Sequence, residues 1–145
     1  MTPSQACIDL IKKSEGFRAE PYKDAAGFAT CGYGHKLVDA AETATTPWTE
    51  EYASQICQQD AQRACDEMAA LVKVALTQGQ IDALTDFVFN MGSGRLAEST
   101  LLKVLNFGEY QNVPNELRKW VMGGGVKLPG LVARREAECS LWNQA

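Results

Sequence analysis

The sequence predicts an α+β fold: one N-terminal helix, a small antiparallel sheet, and a larger helical lobe, with a cleft where sheet and helices meet. Three observations carry this. Ile8 and Ile11 recur at helical spacing ahead of Gly16. Residues 17–37 are rich in Gly, Tyr, Phe and Thr, and Ala29, Cys31, Tyr33 and His35 alternate with Phe28, Thr30, Gly32 and Gly34. From Thr49 onward the chain returns to spacings of three and four, punctuated by capping residues and glycines.

Each element has its own signal. Thr2-Pro3 reads as a helix start, with Thr as N-cap and Pro at the first position, and Gly16 as its stop. Asp24-Ala25-Ala26-Gly27 has the Asp-first, Gly-last form of a type I turn. Thr49 caps a helix carrying Ala53, Ile56, Cys57, Ala61, Ala64, Cys65 and Met68 on one side. Thr77-Gln78-Gly79-Gln80 is a capping box before Ile81, Leu84, Val88 and Met91, with Gly92 at the stop. Shorter helices are predicted at 101–107, 114–122 and 131–142, separated by Gly108 and Gly123-Gly124-Gly125. With 145 residues and no linker, repeat or low-complexity tract, the expectation is a single domain, 1–145. Its small sheet lobe covers about 16–46, and its helical lobe about 70–145 plus the N-terminal helix. The middle helix, about 50–72, is expected to join the two, with Glu15, Asp24 and Asn90 lining one groove.

Composition narrows the function. Fourteen basic and eighteen acidic residues give a net charge of −4, distributed as +1, −7 and +2 over 1–38, 39–100 and 101–145. A nucleic-acid binder would show a clustered basic surplus, so none is expected as a partner. No apolar run reaches the length of a membrane span, and the first residues do not form a secretory signal. The five cysteines (Cys7, Cys31, Cys57, Cys65, Cys139) follow no zinc spacing and read as buried free thiols. With one histidine and scattered thiols, neither a metal nor a cofactor is expected.

Carboxylates remain. Glu15 continues the Ile8–Ile11 stripe at a helix C-terminus, where desolvation and the helix dipole both favour a protonated carboxyl. Asp24 opens a turn and is expected ionised, and Thr30 lies six residues on, within reach of a shared water. One protonated carboxyl, one ionised and a hydroxyl form an acid, a base and a water clamp, the working parts of glycoside hydrolysis. The same residues also fit plain structural roles: a solvated Glu at a helix end and an Asp that makes a turn. Trp48, Trp120 and Trp142 read as core, and Arg134 and Arg135 as surface or structural ion-pair partners rather than neighbours of Glu15. His35 is expected to be structural and paired with Asp60.

Ser14-Glu15-Gly16-Phe17, Tyr22-Lys23-Asp24, Gly27 and Thr30-Cys31-Gly32-Tyr33-Gly34-His35 resemble the phage-type lysozymes, glycoside hydrolase family twenty-four. Phe89-Asn90-Met91-Gly92 and residues 127–138 extend the likeness over most of the chain. The resemblance implies Glu15, Asp24 and Thr30 as the catalytic set and Asn90 as a substrate-binding residue. It implies a monomeric muramidase made in a bacterial cytoplasm. The enzyme would act on peptidoglycan strands in the periplasm by an inverting route, crossing the inner membrane through a separate pore or export system. A lytic transglycosylase, which needs only the acid, and a non-catalytic wall-binding module are the competing classes.

Overall fold

The structure, a computed structural model, describes residues 1–144. It opens with helix α1 (Gln5–Glu15), followed by strands β1 (Arg18–Lys23), β2 (Ala29–Gly32) and β3 (His35–Lys36) in one antiparallel sheet of that order. Helices α2 (Ala40–Thr43), α3 (Glu50–Leu71), α4 (Gln78–Met91), α5 (Ser93–Ala97), α6 (Thr100–Asn106) and α7 (Val113–Leu117) follow. A small hairpin of β4 (Met122–Gly123) and β5 (Val126–Lys127) then leads into α8 (Pro129–Trp142).

Two apolar cores divide the molecule. One gathers Cys7, Ile8 and Ile11 of α1 with Cys31, Tyr33, Trp48 and the first half of α3 (Ala53, Cys57, Ala61). The other gathers the second half of α3 (Ala64, Cys65, Met68) with α4, α6 and α8 around Leu84, Phe87, Leu101 and Trp142. Helix α3 therefore belongs to both, which a 22-residue rod can do because its small side chains let neighbours approach on either half. Its N-cap Thr49 accepts from the Tyr52 N–H, and Thr77 and Gln80 form the expected reciprocal capping box on α4. Trp48 and Trp142 are core residues, and Trp120 packs edge-on against Phe87 at 5.4 Å. All five cysteines are free and buried.

Three local readings are corrected. Helix α1 starts at Gln5, not at Thr2-Pro3, because Asp82 of α4 accepts from both the backbone N–H (2.8 Å) and the hydroxyl of Ser4, ending the chain's entry there. The alternation from 28 to 35 is not one strand. It folds back at Tyr33-Gly34, so that Cys31 faces His35 across a tight hairpin. The helix expected at 114–122 stops at Leu117, and residues 122–127 pair as the second small sheet. In β1 a bulge between Arg18 and Tyr22 accommodates Pro21, whose missing N–H a regular ladder would not tolerate.

Candidate active site

Glu15 is the last residue of α1, and Gly16, at φ 72°, turns the chain from helix into sheet. The carboxyl is held from two sides. Its Oε2 accepts from Arg134 Nη1 at 2.7 Å, and its other oxygen rests against the backbone of Gly34. A Cβ at Gly34 would stand 2.5 Å from Glu15 Oε1, and its φ of +70° also suits only glycine. The apolar surroundings expected for this carboxyl are thus replaced in part by a guanidinium. Sequence reasoning had set Arg134 aside in favour of an ion pair elsewhere, yet it is 6% exposed and lies beside Glu15.

A signal for it exists. Leu131, Arg134, Arg135, Glu138, Leu141 and Trp142 fall at spacings of three and four, so the charges sit on the same stripe as the residues that bury α8. Arg134 grips Asp86 of α4 with Nε and Nη2 at 3.0 and 2.9 Å. Burial works against its charge, and Asp86 and then Glu15 outweigh that, keeping it firmly protonated.

Asp24 opens the turn after β1. Its Oδ1 accepts from the N–H groups of Ala26 and Phe28, both at 2.9 Å, leaving Oδ2 without a partner in the turn. The Phe28 carbonyl in turn accepts from the Asp24 N–H (2.9 Å) and from the Thr30 hydroxyl (2.8 Å). One peptide group therefore ties Asp24 to Thr30. Thr30 is almost fully buried, and with its proton committed to Phe28 its oxygen can still accept. Tyr22 stands opposite Thr30 in the sheet register. Burial pushes its phenol up, the charge of Glu15 adds to that, Arg18 opposes it, and Asp24 adds a little more.

Two concavities flank the Glu15–Gly34 contact, Glu15 lining one and Gly34 the other. One, of about 680 Å³, is lined by Glu15, Asn90, Arg134 and the 128–131 segment. The other, of about 790 Å³, is lined by Gly34, His35, Tyr52, Asp60 and Phe89. Gly34 packs on the Glu15 carboxyl, and Phe89 precedes Asn90, so the two abut along α4 and the acid. The expectation that Glu15, Asp24 and Asn90 line one groove is corrected: Glu15 and Asn90 share the smaller concavity, while Asp24, held in the turn beyond β1, lines neither. Asn90 has its Oδ1 taken by Arg135 Nη2 at 2.7 Å, which turns its amide N–H₂ outward. His35 is structural in its contacts: Nδ1 lies 2.6 Å from Asp60 Oδ2, and Nε2 contacts Glu42, a partner the sequence reading missed. The missed contact is α2, four residues with no apolar pattern to announce them.

A carboxyl presented from a helix end onto a small sheet, with a helical lobe across the groove, is the build of the lysozyme-like glycoside hydrolases. A sequence model of the family described as phage lysozyme matches residues 12–138. The chain is 42% identical to the endolysin of Bacillus phage B103 over 98% of its own length, spanning 54% of that protein. It is 37% identical to the endolysin of Acyrthosiphon pisum secondary endosymbiont phage 1, spanning 98% of both chains. Among solved structures, a point mutant of P22 lysozyme superposes with a TM-score of 0.85 at 31% identity over 99% of each chain. The chain belongs to the phage lysozyme family. The fold class and the family expected from the sequence both hold.

Proposed function

We propose that this lysozyme hydrolyses the β-1,4 bond between N-acetylmuramic acid and N-acetylglucosamine in peptidoglycan, with Glu15 as the general acid. The observation that carries this reading is the setting of Glu15. It is fixed between Gly34 and Arg134 and lines one groove with Asn90, with Asp24 of the adjoining turn and Thr30 of β2 tied together through the Phe28 carbonyl. Glu15 protonates the departing glycosidic oxygen. Asp24, through its free Oδ2, takes a proton from water, and the Thr30 oxygen holds that water in line on the opposite face of the sugar. Attack by water in a single step inverts the anomeric carbon. Asn90 donates its amide to a carbonyl oxygen of the glycan, an N-acetyl group being the one at hand.

The chain works as one catalytic domain, its small lobe about 16–46 and its helical lobe about 70–145 with α1. It acts as a monomer on the wall from the periplasmic side after synthesis in the bacterial cytoplasm, and it reaches the wall through a separate pore or export system. No helix among the described residues is long and apolar enough to cross a membrane.

Product analysis tests the chemistry. Proton NMR during the first minutes of peptidoglycan digestion is expected to show the α-anomer of the new reducing end appearing first, with mass spectrometry showing the mass of added water. A β-anomer first would contradict inversion, and anhydro-sugar ends would identify a transglycosylase instead.

A further inference from the structure

One oxygen of Glu15 is held by Arg134, and the other rests on the backbone of Gly34. What keeps Gly34 in place lies on the far side of the β2–β3 turn. The preceding residue, Tyr33, sends its side chain into the core against α3. Its hydroxyl donates to Glu50 Oε1 at 2.9 Å. The same oxygen accepts from the Ser54 hydroxyl at 2.7 Å, one turn along α3. Ser54 Oγ in turn accepts from Lys12 Nζ at 2.7 Å. Lys12 lies in the last turn of α1, three residues before Glu15, and its ammonium stands 5.2 Å from the centre of the Tyr33 ring. Phe17, two residues after Glu15, packs on that ring at 5.7 Å. The segments before, after and against Glu15 thus converge on one turn of α3.

We propose that Tyr33 and Glu50 are positioning residues of the acid. Their hydrogen bond, relayed through Ser54 to Lys12, ties the β2–β3 turn and the end of α1 to the start of α3. Gly34 thereby stays pressed on the Glu15 carboxyl. Tyr33, Glu50, Ser54 and Lys12 line neither concavity, so they act through Glu15 and not on the glycan. The inference rests on Glu15 being the acid.

Magnitudes decide which contact matters. Lys12 and Glu50 stand 3.7 Å apart with the carboxylate half in solvent, an ion pair worth little by itself. The Tyr33 bond is stronger, because a buried hydroxyl donates to a charged acceptor and its ring is fixed in the core. Burial, and then Glu50, push the Tyr33 phenol up, while the Ser54 and Tyr33 hydroxyls hold the Glu50 carboxyl down. Donor and acceptor therefore keep their roles through neutral pH. A carboxyl misplaced by about 1 Å costs about a hundredfold in rate, and a turn loosened without being displaced costs part of that.

Steady-state kinetics on solubilised peptidoglycan test this with Tyr33→Phe, Glu50→Ala, Glu50→Gln and the double variant Tyr33→Phe/Glu50→Ala. Tyr33→Phe and Glu50→Ala are each expected to lower kcat about fivefold at constant KM, since orientation of the acid is lost and binding is not. The double variant is expected to lose no more than either single one, because both break the same bond. Glu50→Gln, whose amide oxygen still accepts from Tyr33 and Ser54, is expected to recover most of the Glu50→Ala loss. Circular dichroism checks the fold of each, and should Tyr33→Phe not fold, the two Glu50 variants at their exposed position carry the test. Wild-type kcat in folded Tyr33→Phe or Glu50→Ala, a loss that falls on KM, multiplied losses in the double variant, or a Glu50→Gln no better than Glu50→Ala would each overturn the proposal. Failure of the parent reading looks different: Glu15→Gln itself would stay active.

Discussion

Glu15 has little freedom, because Arg134 pulls on one oxygen and Gly34 leaves room for the other by having no side chain. Gly34→Ala is therefore expected to cost activity out of proportion to stability. The added methyl displaces the carboxyl, a misplacement worth about a hundredfold in rate, while the strained φ costs about 1–2 kcal/mol. Turnover and thermal unfolding of the same preparation separate the two effects. His35 is the opposite case, a residue whose worth is in the fold. Asp60 raises its pKa above 6.5, burial opposes that, and Glu42 adds to the rise. A raised histidine pKa contributes stability that is complete below about 6.5 and lost as pH climbs through the folded value. The clasp is worth about 1–3 kcal/mol, so His35→Asn is expected to lower Tm by several degrees near pH 5.5 and far less near pH 9. Thermal melts at the two pH values check this, with peptidoglycan turnover at either pH little affected.

Elements were legible where a local signal is strong enough to survive packing. The Thr77–Gln80 box is such a signal, because both of its hydrogen bonds lie within four residues. Thr77→Ala is expected to cost about 1 kcal/mol, seen as a Tm lower by about 2–4 °C with unchanged kcat. The start of α1 was misplaced because its true cap is a contact with Asp82, 78 residues away, that no local pattern encodes. The β2–β3 hairpin was blurred because Gly32 and Gly34 interrupt an alternation that otherwise runs on, and only three residues separate the paired Cys31 and His35. Residue type and spacing left Glu15, Asp24 and Thr30 open to plain structural roles as well, and it was their place in the family's motifs, as for Asn90, that singled them out. Arg134 did not stand out, since a long-range ion pair leaves only an indirect trace, charges lying on an apolar stripe.

At the scale of the whole molecule, α3 carries the burden that the acidic middle of the sequence hinted at. One half of it builds the core under the sheet and the other half builds the core of the helical lobe, so a single helix joins the two cores across the molecule. Glu15 ends α1 on one side of the groove, while α4 and α8 bring Asn90 and Arg134 to the other. The acid is thus held by contributions from both lobes, which is why the account turns on it. The most direct measurement is the release of reducing ends from purified peptidoglycan by Glu15→Gln beside the wild type, at equal concentration and with circular dichroism on both. Glutamine keeps the volume and can still accept from Arg134, but it has no proton to give. Native circular dichroism with a rate about a thousandth of wild type or lower is the expected result. A folded Glu15→Gln that kept about a tenth of the wild-type rate would contradict the assignment.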